Sequence, residues 1–200
     1  MYSILALWVG SVLMVVSIRC DVTDENAAEG LPEDDPLRAT LTASRIRLAS
    51  GYLGRYLIFG TIALTQATLI GLGDLYFLKV QHVHPLEFMG TLWLTAVVFS
   101  FLMYTLIATF GNAGKALGVL FLVLQISGAG GSFPLAILPS FFSSVSPFLP
   151  ATHAIVALRA SIAGYSGHEY GDAMWFLASF ILFAAFLGLA LRPLLVRGNR

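Results

Sequence analysis

FMGTLWLTAVVFSFLMYTLIATFGNAG, Phe88 to Gly114, runs 27 residues without a charge before Lys115 interrupts it. A helix rises 1.5 Å per residue, so about 20 apolar residues cross a hydrocarbon core of roughly 30 Å. This stretch is long enough and apolar enough for one crossing. The same reading extends outward in both directions. Met1–Ile18 is uncharged for 18 residues, Tyr56–Gly73 for 18, Ala116–Leu158 for 43 and Ala173–Leu191 for 19. Of the 200 residues 58% are hydrophobic and 11% charged, with a mean hydropathy of +0.83. A soluble domain carries about 25% charged residues to keep its surface in water. Less than half that share means that most of this surface faces something other than water, namely the lipid bilayer.

The 43-residue run is too long for one crossing and is broken by its own chemistry. Ser127-Gly128-Ala129-Gly130-Gly131-Ser132 precedes Pro134, Pro139, Pro147 and Pro150. Proline lacks the N–H that a helix needs and clashes with the preceding turn. The expectation is one span over 116–132 and then an outer re-entrant helical segment over 133–165. Two crossings here are the alternative. The fold class expected is therefore all-α, a polytopic helical bundle with about five transmembrane helices. Their limits are about 1–18, 56–74, 88–110, 116–132 and 173–191, with a loop over 19–55.

Orientation follows from the bias of basic residues toward the cytoplasmic side. With five spans, Arg19, Arg38, Arg45, Arg47, Arg55, Lys115, Arg192, Arg197 and Arg200 share one side, against Lys79 and Arg159 on the other. The 19–55 loop and the C-terminus are then cytoplasmic and residue 1 lies outside. A chain that starts outside, directly with a span, has the form of the C-terminal part of something longer. Single-cysteine labelling, after Cys20 is replaced, would reach Ser144 from outside and Ala27 only through a permeabilised membrane.

The cytoplasmic loop has two halves. Residues 21–35 hold seven acidic side chains and no basic one, a solvated strip. Asp35-Pro36 is a helix start signal. Leu37, Leu41 and Leu48 then share one face, flanked by Arg38, Arg45 and Arg47. This is the pattern of a short helix over 36–49 lying in the inner interface. Its readings are an ordinary connector or a coupling element for a cytoplasmic partner. Within the spans, Gln66 with Thr65 and Thr68, Ser100, Thr105, Thr109 and Gln125 are expected to form interhelical hydrogen bonds of roughly 0.6 kcal/mol each. A pathway lining is the competing reading. Gly114/Gly118 and Ser127/Gly131 are small-xxx-small pairs suited to close helix packing.

Signals of other chemistry fail on inspection. Gly111-Asn112-Ala113-Gly114-Lys115-Ala116 lacks the leading Gly and the Ser or Thr after Lys of a phosphate-binding loop, and no strand precedes it. His82 and His84 with Glu87 match no established zinc spacing. His153 has no identifiable triad partner, and His168 with Glu169 and Asp172 reads as a polar lead-in to the last span. Trp8, Trp93 and Trp175 suit membrane belts or packing. With a net charge of zero there is no patch for nucleic acid. No catalytic, cofactor-binding or metal-binding residues are assigned, and no enzyme is expected.

The phrases Gly-Asn-Ala-Gly-Lys (111–115), Leu-Gln-Ile-Ser-Gly-Ala-Gly-Gly-Ser-Phe-Pro (124–134), Leu-Pro (138–139) and Pro-Phe-Leu-Pro-Ala-Thr-His-Ala (147–154), closing in Leu158-Arg159, resemble the YhgE/Pip family. So does Trp8-Val9-Gly10. These are bacterial phage infection protein-like membrane proteins, whose C-terminal region is similar to the membrane domain of ABC transporter type-2 permeases. The resemblance implies a multi-pass protein of the bacterial cell (plasma) membrane, a permease-like role in export or cell-envelope transport, and a homo- or hetero-oligomer. It also implies a separate ATPase subunit at the cytoplasmic face. A non-transporting anchor of a phage-receptor or secretion-system component is the alternative. Family members usually carry a further span and a large extracellular domain ahead of this region.

Overall fold

The computed structural model describes residues 1–18, 48–81, 83–131, 137–164 and 167–197. The acidic strip, most of the 36–49 stretch, Cys20, His82 and the 132–136 part of the proline-rich segment lie outside the described residues. Among the described residues seven α-helices follow in order: α1 (Tyr2–Ser17), α2 (Leu48–Leu72), α3 (Pro85–Phe110), α4 (Asn112–Gly128), α5 (Ser140–Val145), α6 (Pro150–Ala163) and α7 (Glu169–Arg197). Among the described residues there is no strand.

The helix ends are set by local chemistry more than by charge. Pro85 opens α3 at the first helical position, where the missing N–H costs nothing. Gly111, with φ 57° and ψ −126°, stops α3 and lets α4 begin at the next residue; only glycine enters that region without strain. α2, described from Leu48, includes Arg55, which the charge pattern assigns to the loop. Likewise Glu87, Lys115, Glu169 and Asp172 lie within helices. A charge near a helix end reaches the interface and need not break the helix. α2 continues into a π-helical turn over Gly73–Phe77, closed by the Leu78 N–H donating to the Gly73 carbonyl at 3.1 Å.

By length and composition three helical stretches can cross a membrane: Tyr52–Phe77, Pro85–Phe110 and Glu169–Gly188. The bent pair Ser140–Phe148 and Pro150–Ala163 would make a fourth if counted as one span. α1 and α4 are apolar but only 16 and 17 residues long, short of the usual 20. The bundle is polytopic and helical, and helix length alone does not fix a count of five.

α3 is the axis. It packs against α1, α2, α4, α6 and α7, and every residue from Val98 to Ile107 is buried. A helix apolar all round belongs at a bundle centre. α2 runs antiparallel to it: Tyr52 meets Thr105, Tyr56 meets Val97 and Ser100, and Thr68 meets Trp93. α7 runs parallel to α3, from Tyr170 beside Thr91 to Gly188 beside Thr105. α1 is antiparallel to α2, with Ser3 bonded to Asp74 and Gln66 to Ala6. α4 folds back along α3, Gly114 facing Leu106 and Ile107 and Gly118 facing Met103. The outward faces of α2 and α7 leave Leu57, Leu69, Trp175 and Phe186 exposed, as a lipid-facing surface does.

The bundle therefore has two chemically distinct ends. Residues 1, 74, 84, 161 and 170 share one, joined by the Ser3–Asp74, His84–Ser161 and Tyr170–Glu87 hydrogen bonds. Ile18, Tyr52 and Gly111 mark the other.

The expected interhelical hydrogen bonds divide. Gln66 donates to the Ala6 carbonyl at 3.0 Å, Ser100 bonds Tyr56 at 3.1 Å, Thr68 accepts from Trp93 at 2.9 Å, and Thr105 pairs with Tyr52. Thr65 instead donates to the Thr61 carbonyl of its own helix. The Thr109 hydroxyl and both Gln125 amide atoms are buried without a hydrogen-bond partner among the described residues. Of the small-residue pairs, Gly114/Gly118 is a packing face. Ser127/Gly131 is not one, because α4 ends at Gly128; there Gly128 meets Leu149, and Gly131 meets Ile155 and Met1.

Candidate functional site

The proline-rich segment bends sharply between α5 and α6. Ser140–Phe148 and Pro150–Ala163 meet at an angle of 79°. Pro150 sits at the first position of α6, so Leu149 takes an extended conformation, φ −98° and ψ 121°. α6 then returns to the end of the bundle that holds Asp74, where the Ser161 carbonyl accepts from the His84 N–H at 3.1 Å. Arg159, near that end, donates to the Gly130 carbonyl at 3.1 Å.

A helix break inside a bilayer exposes backbone groups that must be satisfied by protein. The sequence Pro147-Phe-Leu-Pro-Ala-Thr-His153 supplies the partners locally. The His153 ring Nε2 donates to the Pro147 carbonyl at 2.9 Å. The Ser146 and Thr152 hydroxyls bond each other across the break at 3.2 Å. The His153 ring also stacks on Phe176 of α7, with centroids 5.2 Å apart and planes 15° from parallel. The break is thus held from both sides, by its own residues and by α7.

Against the break lies a cavity of about 550 Å³. Its walls include Leu102 of α3, Phe121 of α4, Phe148, and Phe180 and Phe183 of α7, with His153 and Ser179 as its polar members. Leu102, Phe121 and Phe183 lie well inside their helices, so the break reaches deep into the bundle. Ser179 is already satisfied by donating to the Phe176 carbonyl at 2.6 Å. The volume falls within the ~300–1,000 Å³ of ligand pockets.

The sequence marked the break through its prolines but assigned His153 no partner. The carbonyl it binds and the ring it stacks on carry no motif, so no local signal named them. The cavity draws Phe176, Phe180 and Phe183 from about thirty residues further on, beyond the reach of any local pattern. His84 contributes its backbone to α6, while His168 and Trp175 are exposed. Trp8 is buried, its ring edge-on to Phe99 at 4.8 Å.

A family model described as ABC-2 family transporter protein matches residues 35–191. The chain belongs to the ABC-2 transporter family. Over 98 residues this ABC-2 chain is also 36% identical to the uncharacterized protein YhgE of Bacillus subtilis (strain 168). The aligned stretch covers 49% of the chain and 12% of that relative. No solved structure matches. The YhgE/Pip and ABC-2 permease resemblance read from residues 111–159 is supported by both matches, and the protein is a membrane protein.

Proposed function

We propose that this chain is the permease part of an ABC-2 transporter in a bacterial plasma membrane, acting without catalysis of its own in an export or cell-envelope assembly. The family match over residues 35–191 carries the reading. The proline-broken, cavity-forming segment inside an otherwise continuous helical bundle supports it, because non-helical backbone at membrane depth is kept where it lines a cavity. The energy comes from a separate ATPase at the cytoplasmic face. In this reading the end that carries Asn112 and Lys115 faces the cytoplasm together with the C-terminus, and the 36–49 stretch is the dock. The chain works paired with a second copy or a second permease subunit.

Orientation is the first requirement of this proposal, since ATP is supplied from inside. In the Cys20→Ser background, a cysteine at the exposed position 168 reacts with an impermeant maleimide on intact cells. A cysteine at the exposed position 112, the first residue of α4, reacts only after permeabilisation. The reverse pattern would place the α3–α4 turn outside and remove the surface the ATPase needs.

A further inference from the structure

Gln66 places a primary amide near the middle of the span Tyr52–Phe77. It is half-buried and lines a groove of about 500 Å³ on the outward face of α2, with Ile62 and Ile70. α1 holds the amide in place. Nε2 donates to the Ala6 carbonyl at 3.0 Å, and a Cβ at Gly10 would overlap the amide, so the glycine leaves the slot it needs. A primary amide has two N–H donors and a carbonyl that accepts. The bond to Ala6 uses one donor, and Oε1 accepts from no donor among the described residues. At the middle of a bilayer, lipid chains supply neither a donor nor an acceptor.

A second observation is the shape of the helix around this amide. Leu57, Thr61, Thr65 and Leu69, four apart, form one exposed ridge. The groove that Gln66 lines runs along one side of it, and a second groove of about 380 Å³, with Leu64 and Thr68, runs along the other. A ridge between two grooves is the form that helix-on-helix packing requires. Thr61 and Thr65 keep the ridge low at its centre, and their hydroxyls donate to the Leu57 and Thr61 carbonyls of their own helix. Small side chains in this spacing let two backbones approach closely. From Tyr56 to Gly73 there is no charge to repel an identical surface.

We propose that this ridge of α2 packs against the same ridge of a second copy of the chain, with the two Gln66 amides meeting across a two-fold axis. Each amide donates its spare N–H to the Oε1 of the other. The amide is its own complement, so the second copy carries the group that this one lacks, at the same depth in the bilayer. Such same-patch pairing is the commonest closed arrangement of identical chains. The inference deepens the permease reading, in which the chain works paired, by choosing a second copy and naming the face. It rests on that reading for its meaning and not for its test, because pairing needs no ATPase.

The test uses the full chain in its native membrane, in the Cys20→Ser background, oxidised with copper phenanthroline. Thr65→Cys gives a disulfide-linked species of twice the chain mass. Phe186→Cys, on the outward face of α7, gives less than a tenth as much. Energy transfer between donor-labelled and acceptor-labelled copies in vesicles then reads the dissociation constant. Gln66→Leu raises it roughly tenfold, the loss of two interhelical hydrogen bonds. Thr61→Leu, which leaves the Gln66 bond to α1 intact, raises the ridge and weakens pairing by a similar factor. Equal crosslinking at positions 65 and 186, or pairing unmoved by either Gln66→Leu or Thr61→Leu, would overturn the proposal. So would a Thr65→Cys product whose mass shows a different protein on this face. An ATPase captured with a chain that does not pair through α2 would overturn this inference alone, and a paired chain without an ATPase would sink the permease reading alone.

Discussion

Gly114→Val separates α4 from α3 and destabilises the protein by about 3 kcal/mol, at the upper end of ordinary overpacking costs. The reason is the surface that Gly114 meets. A Cβ built there would stand 2.2 Å from the Leu106 carbonyl oxygen and 2.9 Å from the Ile107 Cα. Both are backbone atoms of a buried helix and have nowhere to go. Gly118, one turn along the same face, is the internal control. Its Cβ would meet the Met103 sulfur and terminal methyl, the far end of a flexible side chain. Methionine refills space readily, so Gly118→Ala costs under about 1 kcal/mol. Unfolding by denaturing detergent in mixed micelles, followed by loss of the folded-state fluorescence, gives both values. Equal losses at the two positions would show that α4 does not rest on the Leu106 backbone.

Trp8→Ala costs about 3–5 kcal/mol, in the range for deleting a large buried aromatic side chain. Trp8 is 1% exposed, lies edge-on to Phe99 at the bundle centre, and ties α1 to α3. Its indole N–H has no partner among the described residues, so the ring carries the contribution and the N–H does not. Trp8→Phe keeps much of the apolar ring and removes an orphaned donor; it costs under about 1.5 kcal/mol. Trp93→Phe is the contrast, because Trp93 donates to Thr68 at 2.9 Å from a half-exposed position. That substitution loses one interhelical hydrogen bond, about 0.6 kcal/mol. The same detergent titration reads all three. A Trp8→Phe loss as large as that of Trp8→Ala would assign the role to the N–H and contradict the packing.

Much of the bundle was legible in the residues, for identifiable reasons. Uncharged runs located the apolar helices, because charge is expensive in hydrocarbon and the rule acts residue by residue. Helix ends were less legible. Arg55, Glu87 and Lys115 read as boundaries, yet Pro85 and Gly111 set the actual limits nearby through backbone chemistry. Polar pairing was legible in kind and not in partner. Gln66, Ser100 and Thr105 reach across helices, while Thr65 turns back on the Thr61 carbonyl of its own helix and Gln125 has no partner among the described residues. A serine or threonine in a helix can always satisfy itself at i−4, so spacing does not decide between the two outcomes.

The site divides in the same way. Pro147 and Pro150 announce a break wherever they sit in an apolar run. That His153 would satisfy the carbonyl at the break is a three-dimensional fact about Pro147-to-His153 geometry. The cavity is less legible still, since its far wall comes from α7, and the distance between α6 and α7 is written in no single segment.

If the bundle is the permease partner of an ATPase, the two purify together from native membranes. The chain, tagged at its C-terminus and expressed from its own locus, is extracted in mild detergent, captured, and everything retained is weighed by quantitative mass spectrometry. The expected result is a nucleotide-hydrolysing subunit in fixed stoichiometry with the chain, lost when Arg38, Arg45 and Arg47 are changed together to Glu. A chain recovered from the membrane with no ATPase at any stoichiometry would contradict it.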